Sequence, residues 1–133
     1  PNRTTVFAEM IYFGKQLYVK DLWIPFKKDH EKIGYSISEY EWSEDNEFYI
    51  WQYFVEKELL YQTDRKLLGR FIIAAPFSRF NLELDRESPG RLGQYIGWQI
   101  VKSYMKNNPT SILEMTQMNP QDIFNKAKFK PKK

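Results

Sequence analysis

Hydrophobic and polar residues alternate along this chain at helical spacing, and no period-two run lasts long enough to make a strand. In "TTVFAEMIYFGKQLYVKDLWIP", Thr4 or Thr5 can cap a helix, Val6, Met10, Phe13 and Leu17 recur on one face, and Pro25 ends it. Phe7, Ile11, Tyr18 and Val19 widen that stripe, so the pattern predicts burial on more than one side. Gly14 in mid-helix costs about 1 kcal/mol against alanine and points to close approach by another element. "FKKDHEKIGYSIS" reads as a loop. Ser38-Glu39-Tyr40-Glu41 fits a capping box that opens one long helix through "EYEWSEDNEFYIWQYFVEKELLYQ".

Asp64 is placed to cap a shorter helix, "RKLLGRFI", and "AAPFSRFNLELDRESPG" reads as an irregular connection with two prolines. Arg70, Glu87 and Arg91 flank it, as candidates either for lining a groove or for surface salt bridges of little energetic weight. "GRLGQYIGWQIVKSYMKNNP" follows, then Ser111-Ile112-Leu113-Glu114 as a capping box and "NPQDIFNKAK" as a last short helix with Pro120 at its first position. The sum is an all-α chain of five or six helices in a single unit over residues 1–133.

The glycine-rich phrase allows three readings. An anion loop is poorly supported: there is no Gly-Lys-Ser/Thr ending and no strand before Gly90-Arg91-Leu92-Gly93. A membrane face is opposed by Gln94, Gln99, Lys102 and Lys106. Packing is favoured, because Gly93 and Gly97 are four apart and share a face that can admit a neighbouring backbone.

Composition narrows the function. No apolar stretch approaches the roughly 18 residues of a membrane span. There are no cysteines, hence no disulfide or thiolate chemistry in this chain. The net charge of +3 is misleading, since residues 125–133, "NKAKFKPKK", hold five lysines and the rest of the chain carries −2. That tail, residues 126–133, is expected to be frayed and solvated, which argues against a nucleic-acid partner. The single histidine, His30, sits in the expected loop with no second imidazole for zinc. Glu39/Glu41 and Glu44/Asp45/Glu47 read as a solvated helix face.

"ESPGRLGQYIGWQIVKSYMKNNP" with "NPQDIFNKAKFKPKK" resembles the C-terminal end of the gliding-motility lipoprotein GldB family of Bacteroidota. "TTVFAEMIYFGKQLYVKDLWIP", "IGYSISEYEWSEDNEFYIWQYFVEKELLY" and "GRFIIAAPF" resemble earlier blocks of that family in the same order. The resemblance implies that this is the C-terminal half of a cell-envelope lipoprotein, with its signal peptide and lipid-modified cysteine upstream and its body facing the periplasm. It implies the helical half of a zincin-like α+β domain. Its partners would be gliding or secretion machinery proteins, its own N-terminal half and, through the lipid anchor, a membrane. In peptidase relatives an upstream His-Glu-x-x-His is completed by a glutamate just before a glycine on a later helix. The counterpart pair here is Phe13-Gly14, and phenylalanine cannot bind zinc. The favoured expectation is therefore a non-catalytic scaffold without cofactor. The alternatives are a zinc metallopeptidase in which Glu9, one turn away, supplies the ligand, and a helical interaction module unrelated to peptidases.

Overall fold

The computed structural model describes residues 4–72 and 89–133. The described residues form eight helices and no strand, an all-α fold. The helices are α1 (Val6–Trp23), α2 (Asp29–Ile33), α3 (Ile37–Asp45), α4 (Glu47–Glu56), α5 (Arg65–Phe71), α6 (Leu92–Asn107), α7 (Ile112–Gln117) and α8 (Pro120–Ala127).

Helix α1 begins where the Thr5 hydroxyl accepts from the Ala8 N–H at 3.0 Å. Its first two N–H groups are satisfied by carbonyls from the chain after α4, Val6 N donating to Gln62 O and Phe7 N to Leu60 O. Helix α6 is buried nearly all round, with Leu92, Tyr95, Ile96, Trp98, Ile100, Val101 and Tyr104 inside, as expected of a central helix. The two helices cross at glycines. A Cβ on Gly14 would lie 2.4 Å from the Gly97 carbonyl carbon and oxygen, and one on Gly97 would lie 1.8 Å from Met10 O. A Cβ on Gly93 would meet Ile72 Cδ1 at 2.6 Å and Phe71 O at 2.9 Å. Backbone lies against backbone here, so α1 and α6 form the axis around which the rest is packed.

Helix α8 closes the far end of α6. Ser103 Oγ and Asn107 Nδ2 donate to Ala127 O, and Asn108 Nδ2 donates to Lys126 O, capping the last carbonyls of α8. The N-terminus of α8 is capped by Asn119, with Pro120 at the first position, where a missing N–H costs nothing.

Four expectations need correction. The stretch read as a loop contains α2, on which His30 lies; it ends at Gly34 in the left-handed conformation, φ 81°. The capping box is Ser36 with Glu39, two residues earlier than expected. Both Ser36 and Ser38 precede a glutamate by three, and the sequence alone does not choose between them. The long helix is two, divided at Asn46, whose side-chain amide donates to Trp42 O and closes α3.

The lysine-rich tail, fourth, is docked. Phe48 N donates to Lys132 O and Lys132 N to the Glu47 carboxylate, Lys132 Nζ lies 3.2 Å from Glu44, and the Phe129 ring packs edge-on to Trp51. The acceptor is a carboxylate the tail can satisfy, which a solvated end would not have.

Candidate functional site

The residues that could do chemistry converge where α1, the end of α2 and the start of α6 meet. Gly34 ends α2 in a conformation that favours glycine. A Cβ there would also strike the Arg91 guanidinium, so the missing side chain lets Arg91 reach across the turn. Arg91 is the N-cap of α6 at φ 60°, unusual for a residue with a side chain, and it makes no side-chain cap. Its Nη1 instead donates to Ile33 O at 2.6 Å, fixing the turn after α2 to the start of α6. Tyr35 reinforces that joint by donating its hydroxyl to Gly90 O.

Beneath this joint runs a chain of buried and partly buried polar contacts. Lys32, with a side chain only 5% exposed, places Nζ 2.9 Å from Asp21 and 3.4 Å from Asp29. Burial lowers its proton affinity, but Asp21 and then Asp29 more than reverse that, so its pKa lies above the ordinary lysine value. The second Asp21 oxygen accepts from Trp98 Nε1 at 2.9 Å. Asp29 also accepts, at 3.4 Å, from the Tyr40 hydroxyl, whose pKa burial and then the Asp29 charge hold above the usual range. The Tyr40 ring stands edge-on to Tyr95 and Trp98. Tyr95 donates to buried Glu47 at 2.8 Å, and burial followed by the Glu47 charge raises its pKa strongly. Glu47 thus ties α4, α6 and the C-terminal tail together. The acidic run that reads as a solvated face turns one carboxylate inward.

Between these elements lies an open cleft of about 480 Å³. Phe13, Leu17, Ile33 and Ile72 supply its apolar surface, and Gln16, Lys20, Lys32, Arg91 and Gln94 its donors, with Glu31 on the rim. Lys20 Nζ donates to Lys32 O, Gln94 Nε2 to Ile72 O at 2.6 Å, and Glu31 accepts from Lys28 N. The cleft therefore has fixed walls and a partly apolar floor, with Lys20 and Arg91 as cations in its lining and Lys32 paired with Asp21 and Asp29.

Of the residues marked by sequence, Arg91 stands in the cleft wall, and Gly14, Gly93 and Gly97 lie behind it along the helix contact. Arg70 is on α5, away from that lining, with its guanidinium carbon 4.9 Å from the Phe71 ring centroid. Glu87 lies outside the described residues. Glu9 is half-buried in the first turn of α1. Among the described residues no group of three or more His, Cys, Asp or Glu side chains is placed to hold a metal. Sequence reasoning missed Lys20, Lys32, Gln94 and the Glu47–Tyr95 pair. The glycine closing "DHEKIG" was the available signal for α2 and for the Asp29/Lys32 pair one turn apart. Nothing local signals that Asp21 and Trp98 meet.

A family model described as gliding motility protein GldB matches residues 1–131. No curated protein and no solved structure matches the chain. The chain therefore belongs to the gliding motility protein GldB family.

Proposed function

We propose that this domain is a recognition module of the gliding apparatus at the cell envelope, and that the cleft between α1, α2 and α6 receives an acidic segment of a motility or secretion component. On this reading a zincin-like scaffold serves binding in place of catalysis. The observation that supports it is how the charged groups of the cleft are used. Lys32 is held by Asp21 and Asp29, Arg91 by Ile33 O, Lys20 by Lys32 O and Glu31 by Lys28 N. General acid or base work needs a group poised to exchange its proton with a substrate. These groups are instead fixed in structural hydrogen bonds, the cations as donors and Glu31 as an acceptor, while Lys20 and Arg91 retain further N–H groups for a carboxylate. The volume suits a small number of side chains, within the usual range for ligand sites of about 300–1,000 Å³.

The test is complementation in a gliding bacterium that lacks the endogenous protein. Full-length protein with Lys20→Glu should accumulate normally and fail to restore gliding, while Lys20→Arg should restore it. Normal gliding with Lys20→Glu would contradict the reading. Stoichiometric zinc in the full-length protein, lost on Glu9→Ala, would replace it with the peptidase alternative.

A further inference from the structure

Helix α1 ends in a tip that the described residues leave uncovered. Trp23 and Phe26 are 75% and 78% exposed, more than any other large apolar side chain described, and Leu22 is exposed beside them. Single exposed apolar residues are ordinary, but three within five positions form a patch. Pro25 stops the helix, and Lys27 N donates to Ile24 O at 3.0 Å, so a turn over residues 24–27 carries Phe26 directly after the last helical residues, Leu22 and Trp23. The base of the tip is fixed: Asp21 is held by Lys32 and Trp98, and Lys20 by Lys32 O.

The charges around the tip are sorted. Asp21 is turned inward to Lys32, Asp29 reaches Lys32 while its side chain stays 44% exposed, and exposed Glu31 accepts from Lys28 N. Lys20, Lys27 and Lys28 are exposed. A projecting turn with an indole and a phenyl ring at its end and lysines around it suits a flat amphipathic surface better than a concave protein site. Aromatic rings settle at the level of lipid headgroups, lysine stems lie along apolar surface with the ammonium in water, and anionic headgroups attract the ammonium.

We infer that the α1 tip inserts into the headgroup region of an anionic lipid bilayer, with Leu22, Trp23 and Phe26 entering the interface and Lys27 and Lys28 meeting lipid phosphates. This contact is independent of cleft recognition, and none of its residues lines the cleft. It would hold the domain in a defined orientation against the membrane.

The test is flotation of the 133-residue chain with vesicles of phosphatidylcholine alone or mixed with phosphatidylglycerol. The wild-type chain should float with the anionic vesicles and much less with the neutral ones. Trp23→Ser/Phe26→Ser should lose about tenfold or more in partition. Lys27→Gln/Lys28→Gln should lose about fivefold for each lysine neutralised, as should added salt in the same direction. All four side chains are exposed, so melting temperatures should match wild type and separate lost binding from lost folding. Absence of the wild-type chain from both vesicle fractions overturns the inference, as does equal partition of the aromatic double variant. Sedimentation of the wild-type chain as a dimer that Trp23→Ser/Phe26→Ser dissolves, without flotation, overturns it in favour of a second copy on the tip.

Discussion

Replacing Gly97 with alanine tests the packing at the centre of the molecule with one methyl group. Alanine in a helix interior should stabilise by about 1 kcal/mol relative to glycine. Here the new Cβ would lie 1.8 Å from Met10 O and 2.5 Å from Met10 C, whereas ordinary contact begins near 3.4 Å. The atoms in the way are main chain, so no rotamer change relieves the overlap and α1 must retreat from α6 by more than a bond length. Overpacking of that kind costs about 3 kcal/mol or more, which leaves a net loss of about 2 kcal/mol or more after the propensity gain. At about 3–5 °C per kcal/mol for a chain of this size, the melting temperature should fall by about 6 °C or more in a far-ultraviolet circular dichroism melt. Gly69 is the internal control: it also lies within a helix, α5, and a Cβ there meets nothing within 4 Å. Gly69→Ala should be neutral or raise the melting temperature slightly. An unchanged melt for Gly97→Ala, or an equal loss for Gly69→Ala, would refute the crossing argument.

Glu47→Ala should leave the buried Tyr95 hydroxyl and the Lys132 N–H without their acceptor, a loss of about 1–3 kcal/mol, and should speed tryptic cleavage after Lys128; unchanged cleavage would show that Glu47 does not hold the tail. Stability should also decline as pH rises above about 10. Burial first, with nearby carboxylates, holds the phenols of Tyr35, Tyr40 and Tyr95 above the ordinary value of 10.0, and the aspartates hold Lys32 above 10.5. Their contribution is complete below those values and is lost as the unfolded chain, but not the folded one, releases protons. Lys15, lowered by burial, works weakly the other way. Melts from neutral to alkaline pH should show the decline, and Tyr95→Phe should flatten it; an identical slope in that variant would remove Tyr95 from the account.

Much of the fold is legible because helix ends are written locally. Thr5, Asp64, Ser111 and Asn119 each cap through their own side chains, and Pro25 and Pro120 punctuate at positions set by a missing N–H. The break at Asn46 is harder to read, because Glu47 starts a new helix where its carboxylate can reach Tyr95 and the tail, partners 48 and 85 positions away. The cleft is less legible still. Its walls depend on the Asp21–Lys32 and Asp21–Trp98 contacts and on Arg91 reaching over Gly34, and no periodicity records a pairing between separate helices. Spacing marks Gly93 and Gly97 as one helix face, while their opposing surfaces, Met10 and the end of α5, are properties of the assembled bundle.

Cleft recognition is tested most directly by placing a photoactivatable amino acid at Gln16, an exposed residue lining the cleft, in the full-length protein of gliding cells. Irradiation should give one discrete adduct with a motility or secretion component, and Lys20→Glu in the same protein should abolish it. The absence of an adduct at Gln16, or one that survives Lys20→Glu undiminished, would contradict the proposal that this cleft is where the partner binds.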